Sequence, residues 1–123
     1  MSTQEIANRL VELCRSGDYE TCYKELFDPN VWSIEPEGAL GGKVQGLEAI
    51  AEKGKRWNEM MEEFHGSSVG DPIVCGNHFA CTMTMDATLK GVGREKMEEI
   101  CVYEVQNGKI VREQFFYNVP TTA

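Results

Sequence analysis

Apolar residues in the first half of the chain recur at the spacing of three to four residues that is typical of α-helices. The first predicted helix begins at Ser2, which stands three residues before Glu5, the spacing of a capping box. Its apolar positions are Ile6, Leu10, Leu13 and Cys14. Gly17 favours a helix end and Asp18 favours a new helix start, so a second helix is predicted to follow at once.

The second predicted helix ends at Pro29 and leads into a short strand over residues 31–35. Its apolar positions are Cys22, Tyr23, Leu26 and Phe27. Residues 37–42 contain three glycines and are predicted to form a loop. A third helix opens at Gly46. Its broad apolar face is formed by Ile50, Trp57, Met60, Met61 and Phe64.

In the second half of the chain the apolar period changes to two, which is the period of β-strands. Over residues 79–86, an apolar set alternates with a polar set. The apolar set is Cys81, Met83 and Met85, and the polar set is Thr82, Thr84 and Asp86. Gly76-Asn77 and Asn107-Gly108 are hairpin-turn dipeptides. The predicted order is two helices, a strand, a third helix and a meander of three or four long antiparallel strands. This order defines an α+β domain.

Length and charge narrow the class of protein. The chain has 123 residues, so we expect one domain over residues 1–123. With 12 basic and 20 acidic residues the net charge is −8, a field that repels nucleic acid and anionic membranes. No apolar run approaches the length of a membrane span, and the start at Met1 lacks the pattern of a signal peptide. We therefore expect a cytoplasmic protein without nucleic-acid or membrane partners.

The sequence offers no motif for a metal, a cofactor or a nucleophilic triad. Its five cysteines are odd in number and never occur in a Cys-x-x-Cys pair, which predicts buried thiols in a reducing compartment. Gly91-Val92-Gly93 is a turn rather than a nucleotide-binding loop. We expect neither a metal nor a cofactor.

Four motifs spread over nearly the whole chain carry a family resemblance. They are Ser16-Gly17-Asp18-Tyr19, Leu26-Phe27-x-x-Asn30-Val31, Val44-x-Gly46-x-x-Ala49-Ile50 and Val105-x-Asn107-Gly108-Lys109-Ile110-Val111. With these motifs in this order, the chain resembles the nuclear transport factor 2-like superfamily. Within that superfamily it resembles the SnoaL-like branch. The resemblance implies a cystatin-like, cone-shaped α+β barrel, in which a strongly curved antiparallel sheet wraps around three N-terminal helices. It also implies a pocket at the wide end and a homodimer through the outer sheet face.

Strand alternation predicts which side chains enter this pocket. If the cysteine and methionines of residues 79–86 face inward, the inward positions of the next two strands follow. They are Glu99, Cys101, Tyr103 and Val105, then Glu113, Phe115 and Tyr117. The outer face would carry Thr82, Thr84, Ile100, Val102 and Phe116, an apolar patch that suits contact with a second copy. A bulge would reverse this assignment.

Glu35 is the residue that the resemblance to ketosteroid isomerase singles out. That enzyme has a carboxylate base directly before a proline at the end of the first strand, the place that Glu35-Pro36 occupies here. The positions of its two oxyanion-binding groups fall on Leu10 and near Cys101, which cannot replace them. SnoaL-like cyclases carry a histidine and an aspartate where this chain has Glu113 and Phe115.

The sequence therefore predicts a pocket for a small apolar or polycyclic molecule and leaves its use open. One hypothesis is cofactor-free acid–base catalysis of an isomerase, dehydratase or cyclase type, with Glu35, Glu113 and Tyr103 as catalytic residues. The predicted ligand-binding residues are Tyr19, Tyr23, Trp57, Met83, Met85, Glu99, Cys101, Phe115 and Tyr117. The alternatives are a non-catalytic ligand-binding module, and an interaction dimer whose pocket is collapsed.

Overall fold

Three helices and seven strands form over residues 1–39 and 41–119, which are the residues that the computed structural model describes. The helices are α1 (Thr3–Arg15), α2 (Tyr19–Leu26) and α3 (Leu47–Met60). The strands are β1 (Phe27–Ile34), β2 (Lys43–Gln45), β3 (Met61–Val69), β4 (Ile73–Cys75), β5 (His78–Leu89), β6 (Gly93–Gln106) and β7 (Lys109–Phe116). The predicted order of elements is confirmed, and β2 and β4 are short additions to it. Leu40, within the predicted loop, lies outside the described residues.

The start of the chain folds as its capping residues predict. The Ser2 hydroxyl accepts the Glu5 amide proton at 3.1 Å, and the Glu5 carboxylate accepts the Ser2 amide proton at 2.9 Å. Gly17 adopts a positive φ of 76°, which a side chain would disfavour. The Asp18 carboxylate then accepts the Thr21 amide proton at 3.1 Å and caps α2.

Two predicted helix ends are wrong by a few residues. α2 ends at Leu26, and Pro29 lies within β1 instead of after the helix. The register between β1 and β7 is irregular from Phe27 to Trp32, so the missing amide proton of Pro29 interrupts no regular ladder. α3 likewise ends at Met60, because pairing of β3 with β5 begins at the next residue. Phe64, which was predicted on the helix face, lies on β3 and is 54% exposed.

The strands form one curved, open sheet in the order β2-β1-β7-β6-β5-β3, with β4 paired to β5. Among the strands of the described residues, all pairings are antiparallel except that of β1 with β7, which is parallel. The sheet is therefore mixed, where the sequence predicted a wholly antiparallel one. The turn between β6 and β7 has positive φ at Asn107 and Gly108, as the hairpin prediction requires. The predicted cone-shaped α+β fold is confirmed.

The face of the sheet that the helices cover is here called the inner face. Both strands β5 and β6 alternate as predicted, with Cys81, Cys101 and Tyr103 buried and Thr82 and Ile100 exposed. α1 and α2 supply most of the helical core, whereas Ile50 is the buried residue that α3 contributes. The inner face is therefore densely packed under α1 and α2, and polar groups reach it beside α3.

Candidate functional site

The parallel pairing of β1 with β7 brings two buried polar side chains together. Ser33 and Glu113 are register partners on these strands, and their exposed fractions are 0% and 2%. The Ser33 hydroxyl donates to Glu113 Oε1 at 2.8 Å. From α2, the Tyr23 hydroxyl donates to the same carboxyl group, at 3.1 Å to Oε1 and 3.3 Å to Oε2. Glu113 thus accepts two hydroxyl donors inside the fold.

Lys53 extends this pair toward the edge of the site. Its Nζ atom donates to Ser33 Oγ at 2.6 Å and forms an ion pair with Glu35 Oε1 at 3.2 Å. The side chains of Lys53 and Glu35 are each 14% exposed. Because an ammonium group can only donate, the Ser33 hydroxyl accepts a hydrogen bond from Lys53 and donates its own to Glu113.

Tyr117 completes the chain of hydrogen bonds at its outer end. Its hydroxyl donates to Glu35 Oε2 at 2.9 Å. Burial, followed by the hydrogen bond to Glu35 and that residue's charge, raises the pKa of Tyr117, so the phenol stays protonated. The order Tyr23, Glu113, Ser33, Lys53, Glu35, Tyr117 is continuous and is here called the polar network.

The environment of Glu113 weakens its acidity. Burial raises its pKa to about 7, while the hydrogen bonds from Ser33 and Tyr23 and the charge of Lys53 act in the opposite direction. A carboxyl group with such a pKa exchanges its proton near neutral pH, which suits a group that stores a proton.

Glu99 is a second carboxyl group of this kind on the inner face. It lies on β6, where the Cys101 thiol donates to its Oε1 atom at 3.5 Å. Burial raises its pKa to about 7; the Cys101 contact and the charge of Lys53 lower it, and the charge of Glu35 raises it. Glu35, Glu99 and Glu113 therefore interact with the same lysine.

A depression of about 400 Å³ lies where β7 ends. Its walls are Pro36, Gln114, Phe115, Phe116, Tyr117 and Asn118. Tyr117 is also the outer end of the polar network, and the Lys53 Nζ atom lies 5.4 Å from the centre of the Phe115 ring. The outer end of the network therefore lies in the wall of this depression.

The predicted site residues divide into two groups. The polar network contains Glu35, Glu113, Tyr23 and Tyr117, with Phe115 against its lysine. The other predicted residues differ in burial. Trp57, Met83, Met85 and Glu99 are half-buried, Cys101 and Tyr103 are buried, and Tyr19 is exposed.

Tyr103 lies in the core rather than at the surface of the site. It is 3% exposed, and its ring stacks on Phe79 with centroids 4.7 Å apart. It is the register partner of Glu113 on the neighbouring strand. Tyr19, in contrast, is 43% exposed at the start of α2.

Ser33 and Lys53 are the two network residues that the sequence reasoning missed. Lys53 stands three residues after Ile50 and four before Trp57, so the helical period places it on the predicted apolar face. Ser33 lies two residues from Val31 and two from Glu35, so the strand period places all three on the same face. A polar residue in an apolar face was the available signal in both cases.

No metal-binding cluster of His, Cys, Asp and Glu occurs in the part of the chain that the structure describes: no three of these side chains are grouped to hold an ion. Within the same residues, no helix is both long and apolar enough to cross a membrane.

The fold is that of a cone-shaped α+β domain, and the polar network lies on the inner face of its sheet. The sequence model of the SnoaL-like domain matches residues 1–117. The chain belongs to the SnoaL-like family, and its fold is a small-molecule-binding fold of the nuclear transport factor 2-like kind. A search of curated proteins finds no match.

Solved structures agree with this assignment. A candidate SnoaL-like polyketide cyclase from Mesorhizobium loti is 36% identical over 95% of this chain and 100% of its own, with a TM-score of 0.89. A cystatin-like protein of unknown function from Xanthomonas campestris is 22% identical over 97% and 92%, with a TM-score of 0.80. A nuclear transport factor 2-like protein of unknown function from Burkholderia pseudomallei is 18% identical over 96% and 92%, with a TM-score of 0.78.

Proposed function

We propose that the protein catalyses cofactor-free acid–base chemistry on a small apolar molecule, with Glu35 as the base and Glu113 as the buried proton store. The observation that carries this proposal is the continuous polar network from Glu113 to Glu35. It joins a fully buried carboxyl group to one that lies at the edge of the site. When Glu35 takes up a proton, the hydrogen-bonded groups of the network can redistribute the charge.

Glu35 has the position that a base needs. It directly follows β1, and its hydrogen-bond partner Tyr117 lines the depression of about 400 Å³. With only 14% of its side chain exposed, it is partly withdrawn from water and held in one orientation by Lys53 and Tyr117. A fixed, partly desolvated carboxylate is well suited to general-base catalysis.

Of the predicted reaction types, isomerase, dehydratase and cyclase, the comparisons support the cyclase type. The relative from Mesorhizobium loti that is described as a candidate polyketide cyclase shares 36% of its residues with this chain. Reactions of this type move protons between carbon and oxygen, which Glu35 and Glu113 can do without a cofactor.

The test is exchange of carbon-bound hydrogen in deuterium oxide. Probes that combine an apolar ring with a weakly acidic C–H bond, such as 2-tetralone, are incubated with the protein and followed by NMR. We expect exchange above the buffer rate, and a loss of roughly a hundredfold in Glu35→Gln, the typical contribution of a general base. Glu37→Gln is the matched control, because Glu37 is an exposed carboxylate two residues away. Equal exchange by the wild type and Glu35→Gln would contradict the proposal.

A non-catalytic binding module is the second candidate, and one observation favours it. Both carboxylate oxygens of Glu35 are already hydrogen-bonded, Oε1 to Lys53 and Oε2 to Tyr117. A base held in this way must release one partner before it takes a proton. Saturable binding of the probes without exchange of any C–H bond would favour this candidate.

We also propose that the outer face of the sheet pairs with a second copy of the chain. Ile100 and Phe116 are register partners on β6 and β7, and they are 50% and 48% exposed. Ile100 lies between Phe116 and its other register partner, Thr82, which extends the same uncharged surface onto β5. Two adjacent large apolar side chains in this setting are typical of a protein interface.

A further inference from the structure

Sulfur-bearing side chains follow one another on the inner face of β5 and β6. The register of these two strands is unbroken from His78 to Leu89, so residues two positions apart lie on the same face. The inner-face pairs, in order along the sheet, are Cys81 with Cys101, Met83 with Glu99, and Met85 with Met97. Sulfur thus occupies all but one of these neighbouring positions.

The thiols and the thioethers of this series differ in their access to solvent. Cys81 is 4% exposed and Cys101 is 0% exposed, and both belong to the hydrophobic core. The three methionines are each half-buried. On β3, the register partner of Met85 is Ser67, a small residue that is itself exposed. The thioether groups are therefore partly open to solvent on the inner face, where an ion can reach them.

The spacing of the three methionines suits one shared ion. Side chains directly opposite one another on paired strands have Cβ atoms about 5 Å apart, and diagonal neighbours are about 7 Å apart. Met85 and Met97 are directly opposite, and Met83 is the diagonal neighbour of Met97. A methionine side chain has three rotatable bonds, so the three sulfur atoms can turn toward one point above the sheet.

The chemistry of the thioether group selects the kind of ion. Zn²⁺ and Ca²⁺ prefer the nitrogen, thiolate and oxygen donors of other side chains, whereas neutral thioethers select soft ions such as Cu(I). Glu99 lies opposite Met83 on the same face, and a carboxylate there attracts a cation. The charges of Glu35 and Lys53 also act on this carboxyl group, in opposite directions.

We propose that Met83, Met85 and Met97 form a three-sulfur binding site for a soft monovalent metal ion of the Cu(I) class. The ion lies over β5 and β6 and is held by metal–sulfur bonds alone, so that binding changes no oxidation state and releases no proton. The site uses no member of the polar network. It therefore does not depend on the proposed role of Glu35.

The test is a titration of the whole protein with silver(I), a soft ion that is stable in air, in buffer without chloride. Isotope-labelled methyl groups of methionine are followed by NMR, because the methyl carbon is bonded directly to the sulfur atom. We expect the three site signals to change together and to saturate at one equivalent. The signals of Met60 and Met61, where α3 meets β3, are the internal control and should stay unchanged. Zn²⁺ should change none of them.

Variants separate the thioethers from the thiols. Met85→Leu conserves side-chain volume and should weaken silver binding roughly tenfold or more, whereas Met60→Leu, the matched control, should bind as the wild type does. Cys75→Ser removes an exposed thiol and should leave the methyl changes intact. The wild-type titration needs no variant, so the test does not depend on Met85→Leu folding.

Three results would overturn the proposal for the methionines. They are the absence of methyl changes, equal changes at all methionines, and changes that disappear in Cys75→Ser.

Discussion

At the scale of single residues, the central feature is a carboxyl group whose neutral form and charged form are each stabilised by its surroundings. Glu113 is buried, which favours the neutral acid, yet it accepts hydrogen bonds from Tyr23 and Ser33, which favour the anion. These opposing influences leave its pKa at about 7 instead of the ordinary 4.5. Small changes near this residue should therefore change its charge at neutral pH.

The pH dependence of stability follows from this raised pKa. Because the folded protein binds the proton more tightly than the unfolded chain, Glu113 stabilises the fold below its ordinary pKa. That stability is lost as the pH rises from about 4.5 to about 7. The free energy of unfolding should fall by up to about 3 kcal/mol between these limits, with Glu99 acting in the same direction.

Urea unfolding of Glu113→Gln at acidic and mildly alkaline pH measures this contribution. The amide oxygen of glutamine can accept both bonds that now reach Oε1, from Ser33 and from Tyr23. We expect the variant to lose a large part of the pH dependence, whereas Glu98→Gln, at an exposed position on β6, should behave as the wild type. The same slope in all three proteins would show that Glu113 titrates normally.

Strand alternation was enough to predict which faces these residues occupy. Glu99, Cys101 and Glu113 are on the inner face, because β5, β6 and β7 pair in the expected alternating register. Alternation says nothing of which side chains meet. The contact of Ser33 with Glu113 joins residues 80 positions apart, and the contact of Lys53 with Ser33 joins a helix to a strand.

At the scale of elements, the loop after β1 contributes more to the site than Glu35, the network residue with which it begins. Gly41 has a positive φ of 94° and faces the stem of Lys53. The sequence identified this segment as a glycine-rich loop, but the physical need for a glycine at one position depends on a side chain from α3.

Gly41→Ala should therefore displace Lys53. Its Cβ would lie 2.5 Å from Cδ of the lysine, and the flexible side chain should move away from Ser33 and Glu35. Gly38→Ala is the matched control, because φ is 85° there and nothing lies within 4 Å of the added atom. Both variants should lose about 1 kcal/mol of stability through the positive φ.

The NMR signals of the Lys53 side chain distinguish the two glycine variants. They should change in Gly41→Ala and stay unchanged in Gly38→Ala. Identical Lys53 signals in both variants would mean that the loop does not position the amine.

The predicted element boundaries were wrong where a helix runs directly into a strand. α2 meets β1 at Phe27 and α3 meets β3 at Met61, in each case without an intervening loop. The apolar residues at these joints fit both periods, and pairing with β7 or β5 decides which structure they adopt. Local sequence therefore cannot place such boundaries.

At the scale of the whole molecule, the parallel pairing of β1 with β7 is a feature that the sequence could not predict. A local pattern of helix, strand and hairpin predicts neighbours along the chain, but β1 and β7 are separated by most of the chain. Their pairing brings Ser33 and Glu113 together and leaves the outer face continuous from β1 to β5. The polar network and the proposed interface are thus on opposite faces of the same sheet, although Phe116 belongs both to the interface and to the wall of the depression at the end of β7.

Association of two copies is tested by Phe116→Asp. A charge at this 48% exposed position should convert a dimer into a monomer, because it would have to be desolvated in the interface. Phe64→Asp, at a 54% exposed position on the edge strand β3, is the control and should leave the dimer intact. Light scattering coupled to gel filtration gives the mass directly. A monomeric wild type at high micromolar concentration would contradict the proposed dimer.

The most direct measurement of where a ligand binds is an NMR titration of the wild-type protein with 2-tetralone, followed by amide chemical shifts. If the inner-face network is the functional site, the largest changes will occur at Ser33, Glu35, Lys53, Phe115 and Tyr117. Changes confined to the outer face, or to the depression of about 380 Å³ between Asn8, Arg15 and Asp71, would contradict that assignment.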